Sequence, residues 1–234
     1  MSADEPAAAN EDDAAPTWRE LAVARSLDPA RVRAEARVQR FLDAALELMA
    51  ADPDKEFTVQ EVVERSGQSL RSFYQYFAGK YELLLALFEE SVRATAEVLD
   101  DAVAQETDPK ARLHRFVIGY YEICRPRAKG RPRAGSAEVV PAPAMAEFAQ
   151  QLLTAHPKEA SRAYLPLVTL LEGLLDDAAA AGALRPGLRH RRIAGILLQA
   201  ISFNAFSTTI SGTPADDEGA EEAWALIFNG ISAS

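Results

Sequence analysis

The sequence predicts an all-α protein of about nine helices, a three-helix amino-terminal unit followed by a larger helical domain. Apolar residues recur at three- and four-residue steps in one segment after another. No run alternates apolar and polar residues between turn signals, as a half-buried strand would. Cap residues, prolines and glycines punctuate the chain where helices should start and stop. With 234 residues and 48% hydrophobic content, the chain can bury a substantial core as one large or two small domains.

Residues 1–16 mix acid, Ala and Pro without an apolar period, so a disordered acidic tail is expected there. Residues 17–34 form a basic extension, in which Arg25, Arg31 and Arg33 lead to Arg37 and Arg40 of the first helix. These arginines suit either an arm for phosphates or a merely soluble surface. From Ala34, the recurrence of Val38, Phe41, Leu42, Ala45, Leu48 and Met49 marks an amphipathic helix that ends before Pro53. Thr58 and Glu61 have capping-box spacing at the start of a second helix, and Gly67 ends it. Ser69 then caps a short third helix carrying Leu70, Phe73, Tyr74 and Phe77. A long helix follows from Lys80 to about Gln105, and Asp108-Pro109 opens another that reaches Cys124. The Pro-, Gly- and Arg-rich stretch 125–143 reads as a loop. Helices resume over 143–155, 158–182, 189–211 and 217–232, the second of them kinked at Pro166.

The stretch "RSGQSLRSFYQYFAGK" holds three cations and no acid, although the whole chain carries a formal net charge of -10. Two short helices joined at Ser66-Gly67-Gln68 form a candidate helix-turn-helix, whose second helix enters a DNA groove. Leu70, Phe73 and Phe77 are expected to anchor that helix on Val38, Phe41 and Val62. Arg71, Ser72 and Gln75 then point outward, with Arg71 suited to guanine edges and Gln75 to adenine edges. Gln68 is placed to add a base contact from the turn. Ser69 and Lys80 suit phosphate oxygens.

In the run "FTVQEVVERSGQSLRSFYQYFAGKYELL" the chain resembles the tetracycline-repressor (TetR) family of transcriptional regulators. Thr58, Gly67, Ser69, Phe73, Tyr74, Tyr76, Phe77, Lys80 and Leu83 fall in the family's register. Val63, Ser66, Gln68 and Arg71 depart from its usual residues. The resemblance covers residues 35–95 and adds Thr58, Tyr74 and Tyr76 to the DNA-binding set. It implies that residues 96–234 bind a ligand and dimerise. A pocket for a hydrophobic or aromatic effector would be lined by Phe88, Val92, Tyr120, Tyr121, Cys124, Met145, Phe148, Leu152, Tyr164 and Leu167. A four-helix dimer interface would take Ile193, Ile196, Leu197, Ala200, Ile201 and Asn204 from the penultimate helix. Trp224, Ile227, Phe228 and Ile231 would join them from the last. The alternative is that these stripes close the chain's own core; their strong amphipathicity favours the dimer.

The expected partners are therefore double-stranded DNA, a second copy of the chain, and a small apolar effector. Within 125–133, "KGRPR" looks like an AT-hook for the minor groove, while solvated loop charge explains it as well. Cys124 is the single cysteine, which excludes an intrachain disulfide and a multi-cysteine zinc site. The three histidines lack ligand spacing, and no phosphate loop or nucleophile motif is present, so no metal, cofactor or catalytic set is expected. Glu89-Glu90 and Asp176-Asp177 read as solvated helix pairs. With no targeting segment or long apolar run, the chain is expected to be soluble and cytoplasmic. Two other readings stand beside the regulator: a helical interaction protein without DNA binding, and a small helical enzyme acting on a hydrophobic substrate.

Overall fold

A computed structural model describes residues 18–52, 55–124, 142–211 and 219–233. The expected acidic tail and the basic loop 125–133 lie outside the described residues. Ten helices are present among the described residues: α1 (Trp18–Ala51), α2 (Val59–Ser66), α3 (Leu70–Tyr76), α4 (Lys80–Val103), α5 (Pro109–Cys124), α6 (Ala142–Ala155), α7 (Pro157–Ala163), α8 (Leu165–Ala180), α9 (His190–Ser211) and α10 (Gly219–Ile231). Among the described residues there is no strand, only an isolated antiparallel bridge between Leu184 and Ser232. That bridge ties the chain's end to the α8–α9 connection, with the Arg185 amide donating to the Ile231 carbonyl at 2.9 Å.

Two boundaries differ from the expectation. Helix α1 starts at Trp18 rather than near Ala34 and continues through Pro29. Within it, Asp28–Arg33 are all exposed. Local contacts hold this stretch, including an Arg31–Glu35 ion pair at 3.2 Å and an Arg33 Nε bond to the Pro29 carbonyl at 3.0 Å. Such i,i+4 contacts leave no apolar period to read. Farther along, the chain does not kink at Pro166 but breaks at Tyr164 into α7 and α8. Proline lacks the amide donor and its ring crowds the carbonyl four residues back.

Helix α2 starts as its sequence dictates. The Thr58 hydroxyl accepts from the Glu61 amide at 3.2 Å, and the Thr58 amide donates to Glu61 Oε2 at 2.7 Å. Gly67 ends the helix at φ 65, a left-handed conformation that costs a residue with a Cβ about 1–2 kcal/mol. Its amide bonds back to the Glu64 carbonyl and that of Gln68 to the Val63 carbonyl, both at 3.3 Å. These two bonds satisfy the carbonyls that the helix end leaves open.

The core is continuous from the three-helix unit into the larger domain. In the unit, Phe41, Val62 and Phe73 are fully buried. In the larger domain, α4, α5, α8 and α9 pack around Leu99, Leu113, Phe116, Leu171 and Leu175, all buried. Helices α4 and α5 approach closely at Gly119, where a Cβ would stand 2.8 Å from Leu99 Cδ2. Helix α4 belongs to both parts: its start closes the three-helix unit, and Leu87 through Val103 line the larger core.

The capping box yields two tests. Thr58→Ala should lower stability by about 1 kcal/mol in urea unfolding followed by circular dichroism. The Glu61 carboxyl is lowered from 4.5 to about 2, first by its bond from Lys55 and then by the Thr58 amide. A depressed carboxylate stabilises the fold above its ordinary pKa, and that contribution fades as pH falls through the folded value. An NMR titration should place the Glu61 midpoint at about 2, and Lys55→Ala should move it upward.

Candidate nucleic-acid interface

Helix α3 has seven residues, too few to be stable alone. Packing fixes it. Phe73 meets Phe41 edge-on with ring centroids 5.4 Å apart, and Phe77 meets Phe41 at 6.2 Å. Phe73 and Phe77 are themselves 5.3 Å apart. Each such aromatic pair adds about 0.5–1.5 kcal/mol beyond the area it buries. Ser69 caps the helix, its Oγ accepting from the Ser72 amide at 3.1 Å. The expected third anchor is corrected: Leu70 is 44% exposed. It opens the helix roughly 60° around from Phe73, beyond the reach of the Phe41 pocket.

Arg71, Tyr74 and Gln75 are exposed, Ser72 and Tyr76 half-buried. Beside α3 runs an open cleft of about 420 Å³, lined by Arg37 and Arg40 of α1, the turn residues Gly67, Gln68 and Ser69, and Arg71, Ser72 and Gln75. No acid lines it. None of its three arginines makes an ion pair among the described residues, whereas Arg31, Arg65, Arg93, Arg112, Arg162 and Arg191 all do. The unpaired guanidiniums form a local positive field on an acidic protein.

Several residues expected at this interface are engaged within the protein. The Gln68 amide nitrogen donates to the Arg37 carbonyl at 2.9 Å, tying the turn to α1. The Thr58 hydroxyl serves its capping box. Lys80 pairs with Glu56 at 3.1 Å and lies over the Phe57 ring at 4.9 Å. The charge of Lys80 is therefore partly neutralised where Arg71's is not.

The expected effector residues converge, except at their edges, in the core of the larger domain. Phe88 contacts Phe148 at 6.1 Å and Tyr164 at 5.3 Å. Val92, Tyr120, Met145, Leu152 and Leu167 are buried, while Tyr121, Cys124 and Tyr164 are half-buried. The Tyr120 hydroxyl bonds Ser202 Oγ at 2.6 Å, a partner 82 positions away that no local pattern could reveal. Burial first, then the Cys124 sulfur, pushes Tyr164 up to about 12, and burial likewise pushes Tyr120 well above its ordinary value. Both phenols stay neutral and can serve as donors.

The expected dimer stripe is corrected in part. Leu197, Ile201 and Ile231 are buried in the chain's own core, with Ile193 half-buried against it. Trp224, Ile227 and Phe228 also pack on that core. Trp224 stacks on Phe228 at 4.8 Å and meets His114 of α5 at 5.0 Å, while Lys110 caps Phe228. The face left outside is different: Ile196 and Ala200 are exposed with Asn204, and Phe203 is 65% and Leu226 78% exposed. Phe203 escapes the sequence reading because two apolar stripes share α9, and periodicity alone does not say which one faces inward; Leu226 lies on α10 beside the Trp224–Ile227–Phe228 stripe.

The acidic pairs on the helices are ion-pair partners. Asp176 bonds His190 and Asp177 bonds Arg112, each at 2.5 Å, and Arg162 bonds Glu89 at 2.8 Å. Among the described residues no cluster of His, Cys, Asp or Glu could hold a metal. No described helix is long and apolar enough to cross a membrane.

Residues 41–87 match the family model for bacterial regulatory proteins, tetR family. The fatty acid metabolism regulator protein of Bacillus subtilis (strain 168) is 21% identical over 184 residues, covering 78% of this chain and 86% of that protein. The structure of the transcriptional regulator FadR from Bacillus subtilis in complex with stearoyl-CoA superposes with a TM-score of 0.62 at 18% identity, covering 82% of this chain and 98% of that one. The fatty acid degradation regulator FadR from Bacillus halodurans gives 0.63 at 16% identity, over 82% and 98%. These likenesses establish a shared fold.

The geometry separates anchor from reader by stability. Phe73→Ala should cost about 3–5 kcal/mol, whereas Arg71→Ala should change stability by less than about 0.5 kcal/mol. Parallel denaturant titrations of the two variants would show it.

Proposed function

We propose that this chain, which belongs to the TetR family of bacterial regulatory proteins, is a homodimeric repressor that binds a palindromic operator and is released by an apolar effector. Residues 35–95 carry the DNA contacts; residues 96–234 carry the effector and the dimer. One observation carries the reading: Arg37, Arg40 and Arg71 converge without acid partners on a cleft beside the exposed face of α3. Unpaired guanidiniums at a protein surface suit phosphate and guanine oxygens. Arg71 and Gln75 read base edges. Arg37, Arg40 and Ser69 bind the backbone and set the register. Ser72, Tyr74 and Tyr76 flank that contact, Gln68 and Thr58 hold its geometry, and Lys80 joins it by exchanging Glu56 for a phosphate.

A single helix-turn-helix reads few base pairs, so two copies related by a two-fold axis are needed for a palindrome. The exposed stripe Ile196–Ala200–Phe203 on α9, with Leu226 on α10, supplies apolar surface suited to a second copy. The fatty acid regulators that share this fold, one of them holding stearoyl-CoA, support an effector with a long apolar body. Phe88, Phe148 and Leu152 would meet that body, and the neutral hydroxyls of Tyr120 and Tyr164 a polar group on it. The effector favours a dimer state whose recognition helices no longer match the half-site spacing, and operator DNA weakens effector binding by the same factor.

Selection of bound duplexes from a random pool by the full chain tests the reading. A two-fold symmetric site is expected; recovery of no preferred sequence would overturn it. On the selected site, Arg71→Ala should lose about 1–3 kcal/mol and relax one base pair per half-site. Arg37→Ala or Arg40→Ala should weaken all DNA alike and shallow the salt dependence by about one phosphate contact per site. Phe203→Glu should convert the dimer to a folded monomer in analytical ultracentrifugation and abolish binding to the palindrome, while keeping the helical circular dichroism.

A further inference from the structure

The outward arc of α3 is half apolar. At about 100° per residue, Leu70 and Tyr74 form one stripe at the edge of the buried face, where the Tyr74 ring meets Phe73 edge-on at 5.5 Å, and Arg71 and Gln75 form the next, nearly opposite Phe73. Leu70 is 44% and Tyr74 57% exposed. A lone exposed leucine needs no explanation. Leu70, however, opens the recognition helix directly after its cap Ser69, next to the unpaired Arg71. The aromatic core of Phe41, Phe73 and Phe77 closes without it. The fold therefore has no use for a large apolar side chain at this position, and a polar one would be better hydrated.

In the major groove, a branched apolar side chain beside a base-reading arginine has one natural complement, the C5-methyl group of thymine. The first residues of a groove-bound helix are also those that come nearest the base edges. We propose that Leu70 is a specificity-determining residue that packs on a thymine methyl in each half-site, beside the base read by Arg71. Tyr74, one turn along the same stripe, excludes water from one side of that contact. The inference rests on the DNA-binding reading above and adds to it a base preference that hydrogen-bonding residues alone do not supply.

Deoxyuridine is thymidine without the methyl group, so it isolates the contact. The test uses the full chain and the operator it selects, with each thymine replaced singly by deoxyuridine and affinity followed by fluorescence anisotropy. At one thymine per half-site the replacement should weaken binding about fourfold, the worth of one buried methyl. Leu70→Ala, which removes only an exposed side chain, should bind the thymine and deoxyuridine duplexes alike while keeping its preference at the Arg71 base pair. A half-site without thymine, indifference to every replacement, or a fourfold preference that survives in Leu70→Ala would overturn the assignment and leave the regulator reading standing. Failure to select any sequence would overturn both.

Discussion

The edge-to-face packing of Phe41 on Phe73 and Phe77 holds α3 in place, and the interface depends on where α3 lies. Seven residues cannot form a stable helix in water, because nucleation costs more than so few hydrogen bonds return. The helix exists because one turn of it is buried beneath α1. That burial also fixes its rotation. With Phe73 inward, geometry leaves Arg71 and Gln75 nearly opposite, whatever their own preferences. Turning the helix by one residue would swap the Phe73 ring for the hydroxyl of Ser72 or of Tyr74, and a polar group buried without a partner costs more than any gain in readout.

The same rigidity passes into the larger domain through α4. Its first residue, Lys80, sits over Phe57 and pairs with Glu56 at the three-helix unit. The next, Tyr81, donates its hydroxyl to Glu159 of α7 and stacks near His156 at 4.9 Å. Burial and then Glu159 push that phenol up to about 12, so the donor persists across the physiological range. Two turns on, Glu89 is bonded by Arg162 of α7. Helix α7 is thus fastened at two points to the rod that starts beside α3, while Phe148 of α6 and Tyr164 at the α7–α8 junction meet Phe88 of the same rod. An occupant among those rings would bear on α4 directly.

How much of this the sequence discloses depends on whether the cause is local. Thr58, Glu61, Gly67 and Ser69 announce their helix ends because capping is settled within four residues. Phe73 and Phe77 are legible as anchors through spacing. Leu70 is not distinguished from them, since in so short a helix an i+3 relation spans both the buried edge and the open one. The stretch Asp28–Arg33 of α1 escapes notice because it is exposed and is held by Arg31–Glu35 and Arg33–Pro29 contacts. On α9, Ile193–Leu197–Ile201 and Ile196–Ala200–Phe203 are equally periodic. Only the packing of α8 and α5 decides which of them is inward. The partners of Trp224, namely His114 and Phe228, and of Tyr120, namely Ser202, are tertiary and leave no trace in a window of residues.

An acidic chain with a cationic cleft follows from the range over which charge acts. At physiological ionic strength exposed charges are screened beyond about 8 Å, so the formal net charge of -10 governs solubility and long-range repulsion, not what a phosphate meets at the surface. Elsewhere on the molecule Arg31, Arg65, Arg93, Arg112, Arg162 and Arg191 each face a carboxylate on the same or a neighbouring helix. In the cleft the pattern is broken. Guanidiniums from α1 and α3 stand together without one, a repulsion that the isolated protein gains nothing from keeping. A phosphate in the cleft would relieve that repulsion locally, while the surrounding negative charge would weaken attachment to DNA that offers no base contacts. Acidity of the whole and basicity of the cleft therefore act in the same direction, toward discrimination between sites more than toward affinity for any duplex.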